Sequence, residues 1–210
     1  MSRGSRCMGK PDFSKIRVKN EAEFERLCDR IALEASDAAD HFNLVTGLYA
    51  SRQEYYLEMN ESHTFWHLTF IAHREAVLSR LCRIYDKYQG ALSLGKFLQT
   101  VKANRDFFSD AAFRERLKDN PHVDTLAEGR SIDDSELDRE LASVSESDPL
   151  VKRLWDLRDK VISHTDAERV RTSASTDWLP TDDVEALLSR TASITSKYTL
   201  LYRKRLSNPS

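Results

Sequence analysis

Glycine and proline are scarce, at 6 and 5 residues among 210. That removes most of the punctuation that short strands and tight hairpins need, and it argues against an all-β chain. Long apolar runs are missing too. No stretch of about 18 apolar residues occurs, so no membrane-spanning helix is expected, and the N-terminus lacks the apolar core of a secretory leader. The 3 cysteines, Cys7, Cys28 and Cys82, are odd in number and far apart, with no C-x-x-C pair. They offer neither a disulfide framework nor a zinc set. Cys28 and Cys82 fall inside apolar helical patterns and are expected to be small buried hydrophobes in a reducing, cytoplasmic setting. An excess of one charge sign is also lacking: the formal net charge is -2. The chain as a whole is therefore no generic polyanion binder, and any RNA contact must be a local patch. The strings G-x-x-x-x-G-K-S/T, G-x-G-x-x-G and G-x-S-x-G do not occur, nor do internal repeats.

What is present is 40% hydrophobic content rich in Leu, Ala, Glu, Arg and Lys. This composition favours an all-α protein with one ordinary core. Residues 1–19 hold six basic side chains against Asp12 and are expected to be a basic, flexible N-terminal tail, a cloning remnant in part, or an arm that touches phosphates. A helical domain is expected over 20–206. Over 20–50, Phe24, Leu27, Cys28, Ile31, Ala35, Ala38, Phe42, Val45 and Tyr49 recur at three- and four-residue steps, with Asn20 and Glu23 as a capping pair. Residues 62–88 are apolar all round and read as the central, most buried helix. His63 and His67 there have the i, i+4 spacing of metal ligands, but no third ligand is placed, and half-buried histidines are expected instead. Residues 93–108 read as a helix with Ser93 as its cap. The stretch 106–148 carries 13 Asp/Glu against 5 Lys/Arg. Short, shallowly packed helices are expected over about 109–118 and 132–145. A closing helix is expected over 181–206.

The most informative stretch is DPLVKRLWDLRDKVISHTD, residues 148–166. Asp148 suits an N-cap and Pro149 the first helical position. With about 100° per residue, Val151, Trp155 and Ile162 fall on one flank of Arg158, while Leu150, Leu154, Leu157 and Val161 fall on the other. A guanidinium thus sits amid a wide apolar arc. Burying it unpaired costs several kcal/mol, so it needs a carboxylate, a route to water for its head group, or an interface or cleft to face.

The string R-D-K-V-I-S-H (158–164) resembles the signature of the HEPN superfamily, an Arg and a His near the end of a helix in an α-bundle. The order of features carries the resemblance further. A long amphipathic helix is followed by an aromatic helix ending in R-I-Y-D (83–86). S-L-G-K-F-L (93–98), acidic segments, R-D-K-V-I-S-H-T-D (158–166) and a closing helix then follow. This is similar to the AbiU-type HEPN proteins associated with abortive infection, over roughly residues 20–205.

The resemblance implies a HEPN-like up-and-down helical bundle with short extra helices, paired across a two-fold axis as a homodimer. It also implies a metal-independent endoribonuclease with no cofactor, acting on RNA in phage defence or toxin–antitoxin function. Arg158 and His164 would be catalytic, and Asp159 and Ser163 supporting. Imidazole titrates near neutrality and can move the proton of a 2′-hydroxyl, while a guanidinium holds phosphate through its fixed fork of donors. Two residues after His164, where HEPN toxins with a nucleotidyltransferase antitoxin typically carry Tyr, stands Asp166. Regulation through that tyrosine is not expected, and any antitoxin or regulator remains unidentified. The alternatives are an inactive HEPN module that binds RNA, nucleotide or protein, and a structural bundle in which the motif arises by chance.

Overall fold

The computed structural model describes residues 15–88, 90–128, 130–158 and 178–203. The chain is all-α, with no strand among the described residues. Its helices are α1 (Glu21–Ser51), α2 (Tyr56–Glu61), α3 (His63–Ile84), α4 (Leu94–Ala103), α5 (Asp110–Arg116), α6 (Val123–Ala127), α7 (Asp134–Ser143), α8 (Pro149–Leu157) and α9 (Thr181–Tyr202), with a 3₁₀ turn at Arg105–Phe108. No described helix is long and apolar enough to cross a membrane.

Three long helices form the frame. α1 starts where its cap dictates: Asn20 Oδ1 accepts the Glu23 N–H at 2.9 Å, and the Glu23 carboxylate accepts the Lys19 N–H at 2.8 Å. α3 runs back along α1, as the pairs Glu34–Arg80, His41–His73 and Tyr49–Phe70 show. α9 also opposes α1, since the Tyr202 hydroxyl donates to the Glu21 carbonyl at 3.2 Å near one end and Val45 and Val184 line one cavity near the other. Of the predicted α1 stripe, Phe24, Cys28, Ile31, Ala38 and Val45 are buried, Leu27, Ala35 and Phe42 are half-buried, and Tyr49 at its end is exposed. Phe24 anchors the core, with its ring 5.1–6.2 Å from those of Tyr202, Phe108, Phe107 and Phe97. Rings at such separations gain edge and offset attraction beyond burial alone. Cys28 and Cys82 are buried, as expected. Of the basic stretch 1–19, residues 15–19 are described: the Ile16 N–H donates to Thr100 Oγ1 at 2.9 Å, and Val18 packs on the core.

The expectation for 62–88 needs correction. Only the second part of α3 is core, with Val77, Leu78, Leu81, Cys82 and Ile84 buried. Its first part leaves Phe65 61% and Leu68 58% exposed, and His63 and His67 are exposed rather than half-buried. The acidic stretch is also built differently. It holds α5, α6 and α7, and Phe113 and Leu137 are 1% and 0% exposed, so its helices are anchored more deeply than the charge suggests. The predicted helix over 93–108 ends at Ala103, and Ser93 occupies the N-cap position without a side-chain capping bond.

Candidate active site

α8 is set up by its first residues. Asp148 Oδ1 accepts the N–H groups of Leu150 and Val151 at 2.9 and 3.1 Å, and its other oxygen is 3.1 Å from Arg190 of α9. Pro149 takes the first helical position, where its missing N–H costs nothing. From that start, Val151, Leu154, Trp155 and Leu157 are buried, while Lys152, Arg153 and Asp156 point to solvent. Arg158 keeps helical dihedrals (φ -55°, ψ -52°), and its N–H bonds back to Leu154 and Trp155.

The turn leaving α3 receives the end of α8. The buried Trp155 Nε1 donates to the Tyr85 carbonyl at 2.7 Å. The Tyr85 hydroxyl in turn donates to the Leu187 carbonyl at 2.9 Å and accepts from Thr191 at 3.1 Å, which ties in α9. Lys87 lies 4.5 Å over the Trp155 ring. One residue past Tyr85, Asp86 Oδ1 accepts Arg158 Nη1 at 3.2 Å and also the Tyr88 N–H at 2.9 Å. The Arg158 and Asp86 side chains are each 22% exposed. Of the answers open to a guanidinium in an apolar arc, a carboxylate is the one observed, and the pair stays in reach of water.

Below this pair lies Lys96 on α4, with a residue exposure of 2%. Its ammonium donates to the carbonyls of Tyr88 and Ala91 and so fastens the turn that carries Asp86. Burial lowers its pKa, and the charge of Asp86 pulls the other way.

Arg158 is the predicted site residue whose surroundings are described. Asp159, Ser163 and His164 lie outside the described residues. The residues missed from sequence are Asp86, Lys96 and Trp155 as neighbours of Arg158. The available signal was an acidic residue just past the last buried position of an apolar helix, within one of the two strings that carry the family resemblance. Among the described residues no group of three or more His, Cys, Asp or Glu is arranged to hold a metal ion. His63 and His67 stack with ring centroids 6.0 Å apart, and His41 and His73 share a 2.8 Å hydrogen bond between Nδ1 atoms across α1 and α3.

The family model described as AbiU2 (HEPN_AbiU2) matches residues 21–209, nearly the whole chain. No curated protein matches, and no solved structure matches.

Proposed function

The chain belongs to the AbiU2 family of HEPN domains, and from that premise we propose that it is a metal-independent endoribonuclease acting in abortive infection. One observation supports this most. The two strings that carry the family resemblance, R-I-Y-D and R-D-K-V-I-S-H, meet at the Asp86–Arg158 pair. Arg158 holds the scissile phosphate and stabilises the charge that builds on it, with Asp86 positioning the guanidinium. His164 moves protons at the 2′-hydroxyl and the 5′-oxygen. Asp159 and Ser163 support the site. One imidazole per chain is few for both proton roles, so two copies pair about a two-fold axis and two Arg158–His164 sets line one cleft. The product is a 2′,3′-cyclic phosphate end.

The test uses purified protein and single-stranded RNA in excess chelator. Cleavage giving cyclic-phosphate ends is expected. It should fall about 10²- to 10⁴-fold in His164→Ala, as loss of a general acid–base does, and fall also in Arg158→Ala. Cleavage that needs added metal, or that survives in both variants, rejects the proposal.

A second reading is favoured by the same ion pair. A guanidinium already held by Asp86 also suits a module that binds RNA or a partner without cutting. Under that reading RNA is retained intact by the wild-type protein, and over-expression is not toxic.

A further inference from the structure

The part of α3 that departs from expectation, together with the end of α1 and with α2, carries a set of features with no role in the core. A cavity of about 180 Å³ is lined by Tyr49, Arg52, Tyr56, Trp66, Phe70 and Arg74 among others. A second, of about 330 Å³, shares Tyr49 and Arg74 with it and reaches Trp178. The two are neighbouring ends of one groove, divided by Tyr49 and Arg74. Tyr49 stacks on Phe70 at 4.4 Å, and Arg74 lies 4.7 Å over the Trp178 ring. Tyr56 is 58% exposed.

The charges decide what such a groove suits. Many arginines elsewhere in the fold meet carboxylates, as Arg80 does Glu34 and Asp37, Arg153 does Asp183 and Arg203 does Asp29, while Arg130 and Arg139 donate to backbone carbonyls instead. Arg52 and Arg74 have no ion pair and no side-chain hydrogen bond with any described residue. Among the described residues, no acidic side chain lines either cavity. In a chain of net charge -2 this is a local inversion: two guanidiniums with no anion among the described residues, beside flat aromatic faces. A purely apolar protein partner would bury those charges without compensation, at a cost of several kcal/mol. A ligand with phosphates and planar rings satisfies both features.

We infer that this groove binds single-stranded RNA, with bases stacked on Tyr56 and Trp66 and phosphates held by Arg52 and Arg74. Two cavities either side of one cation accommodate more than one nucleotide, which favours a strand over a free mononucleotide. Arg74 and Asp86 are 12 positions apart in sequence, roughly 18 Å at the helical rise. A strand of several nucleotides seated here would be long enough to reach Arg158. The inference deepens the nuclease reading and rests on it for the identity of the strand.

The test is fluorescence anisotropy of the full chain with a labelled 2′-O-methyl RNA, which cannot be cut through its 2′-position, in excess chelator. Loss of cleavage and loss of binding are then read separately. Relative to wild type, Tyr56→Ala is expected to weaken binding about five- to a hundredfold, and Arg52→Gln with Arg74→Gln at least about tenfold with a shallower salt dependence. An abasic strand should bind wild type more weakly, and Tyr56→Ala should then add little. Matching melting curves show that the variants fold. Absence of binding by wild type, variants that bind like wild type, or equal affinity for the abasic strand would each overturn the inference. So would complete displacement by a mononucleotide at equal base concentration, or variants whose only change is a smaller oligomer. If binding behaves as expected and no cleavage occurs, the nuclease reading falls and the groove stands; if the groove variants bind weakly yet cleave like wild type, the inference that this groove feeds the site at Arg158 falls and the nuclease reading stands.

Discussion

Asp86 shows how much one carboxylate can be asked to do. It takes the Arg158 guanidinium on one side and closes the turn through the Tyr88 N–H on the other. Lys96 then pins that turn through two carbonyls. Because both members of the ion pair are 22% exposed, water screens their attraction, and the pair is expected to position more than to stabilise. A double-mutant cycle of Asp86→Asn and Arg158→Gln, followed by urea unfolding, should give a coupling of about 1 kcal/mol or less. Asp86→Asn should nevertheless lower cleavage more than that loss of stability would suggest. A coupling of several kcal/mol would mark the pair as a structural clamp and favour the binding-module reading.

At the scale of elements, α8 is short and depends on its ends. Asp148 caps its first turn and also reaches Arg190, so Asp148→Ala should cost about 0.5–2 kcal/mol, towards the upper end. Trp155 fixes the other end through the buried Tyr85 carbonyl. Trp155→Phe keeps the aromatic bulk but strands that carbonyl, and a loss of about 1–3 kcal/mol in denaturant unfolding is expected. α3 teaches the opposite lesson. Its apolar residues run all round, a pattern that a buried helix and a helix with a working surface share. Periodicity alone could not separate Phe65 and Leu68, which face out, from Leu78 and Leu81, which face in.

For the molecule as a whole, the buried thiol and phenols set the alkaline limit. Burial pushes Cys28 from 9.0 up to about 12, and Tyr85 and Tyr202 from 10.0 up to about 12. Tyr198 moves in the same direction through burial, with Glu140 beside it. Each group holds its proton longer in the fold than in the unfolded chain. The stability tied to it is therefore intact below the unfolded value and is lost as pH rises towards the folded one. Melting temperature should be insensitive to these groups up to about pH 9, fall above it as Cys28 comes into play, and fall more steeply above about 10 as the tyrosines join. Cys28→Ala should flatten the first part of that decline in a pH series of thermal scans, whatever its effect on the baseline.

The amino-acid order alone determined the helical class, the buried stripe of α1, the Asn20 and Asp148 caps and the burial of Cys28. These rest on contacts within a few residues, where spacing and side-chain chemistry decide the outcome. It also singled out Arg158 as a charge that needed an answer. Only the tertiary structure supplied that answer, Asp86, which lies 72 positions away in the sequence. Only the structure showed that Lys96 braces the turn beneath it, and that Arg52 and Arg74 meet no anion among the described residues. The physical reason is the same in each case. A charge is compensated by whatever the fold brings near it, and no local pattern records which distant group that will be.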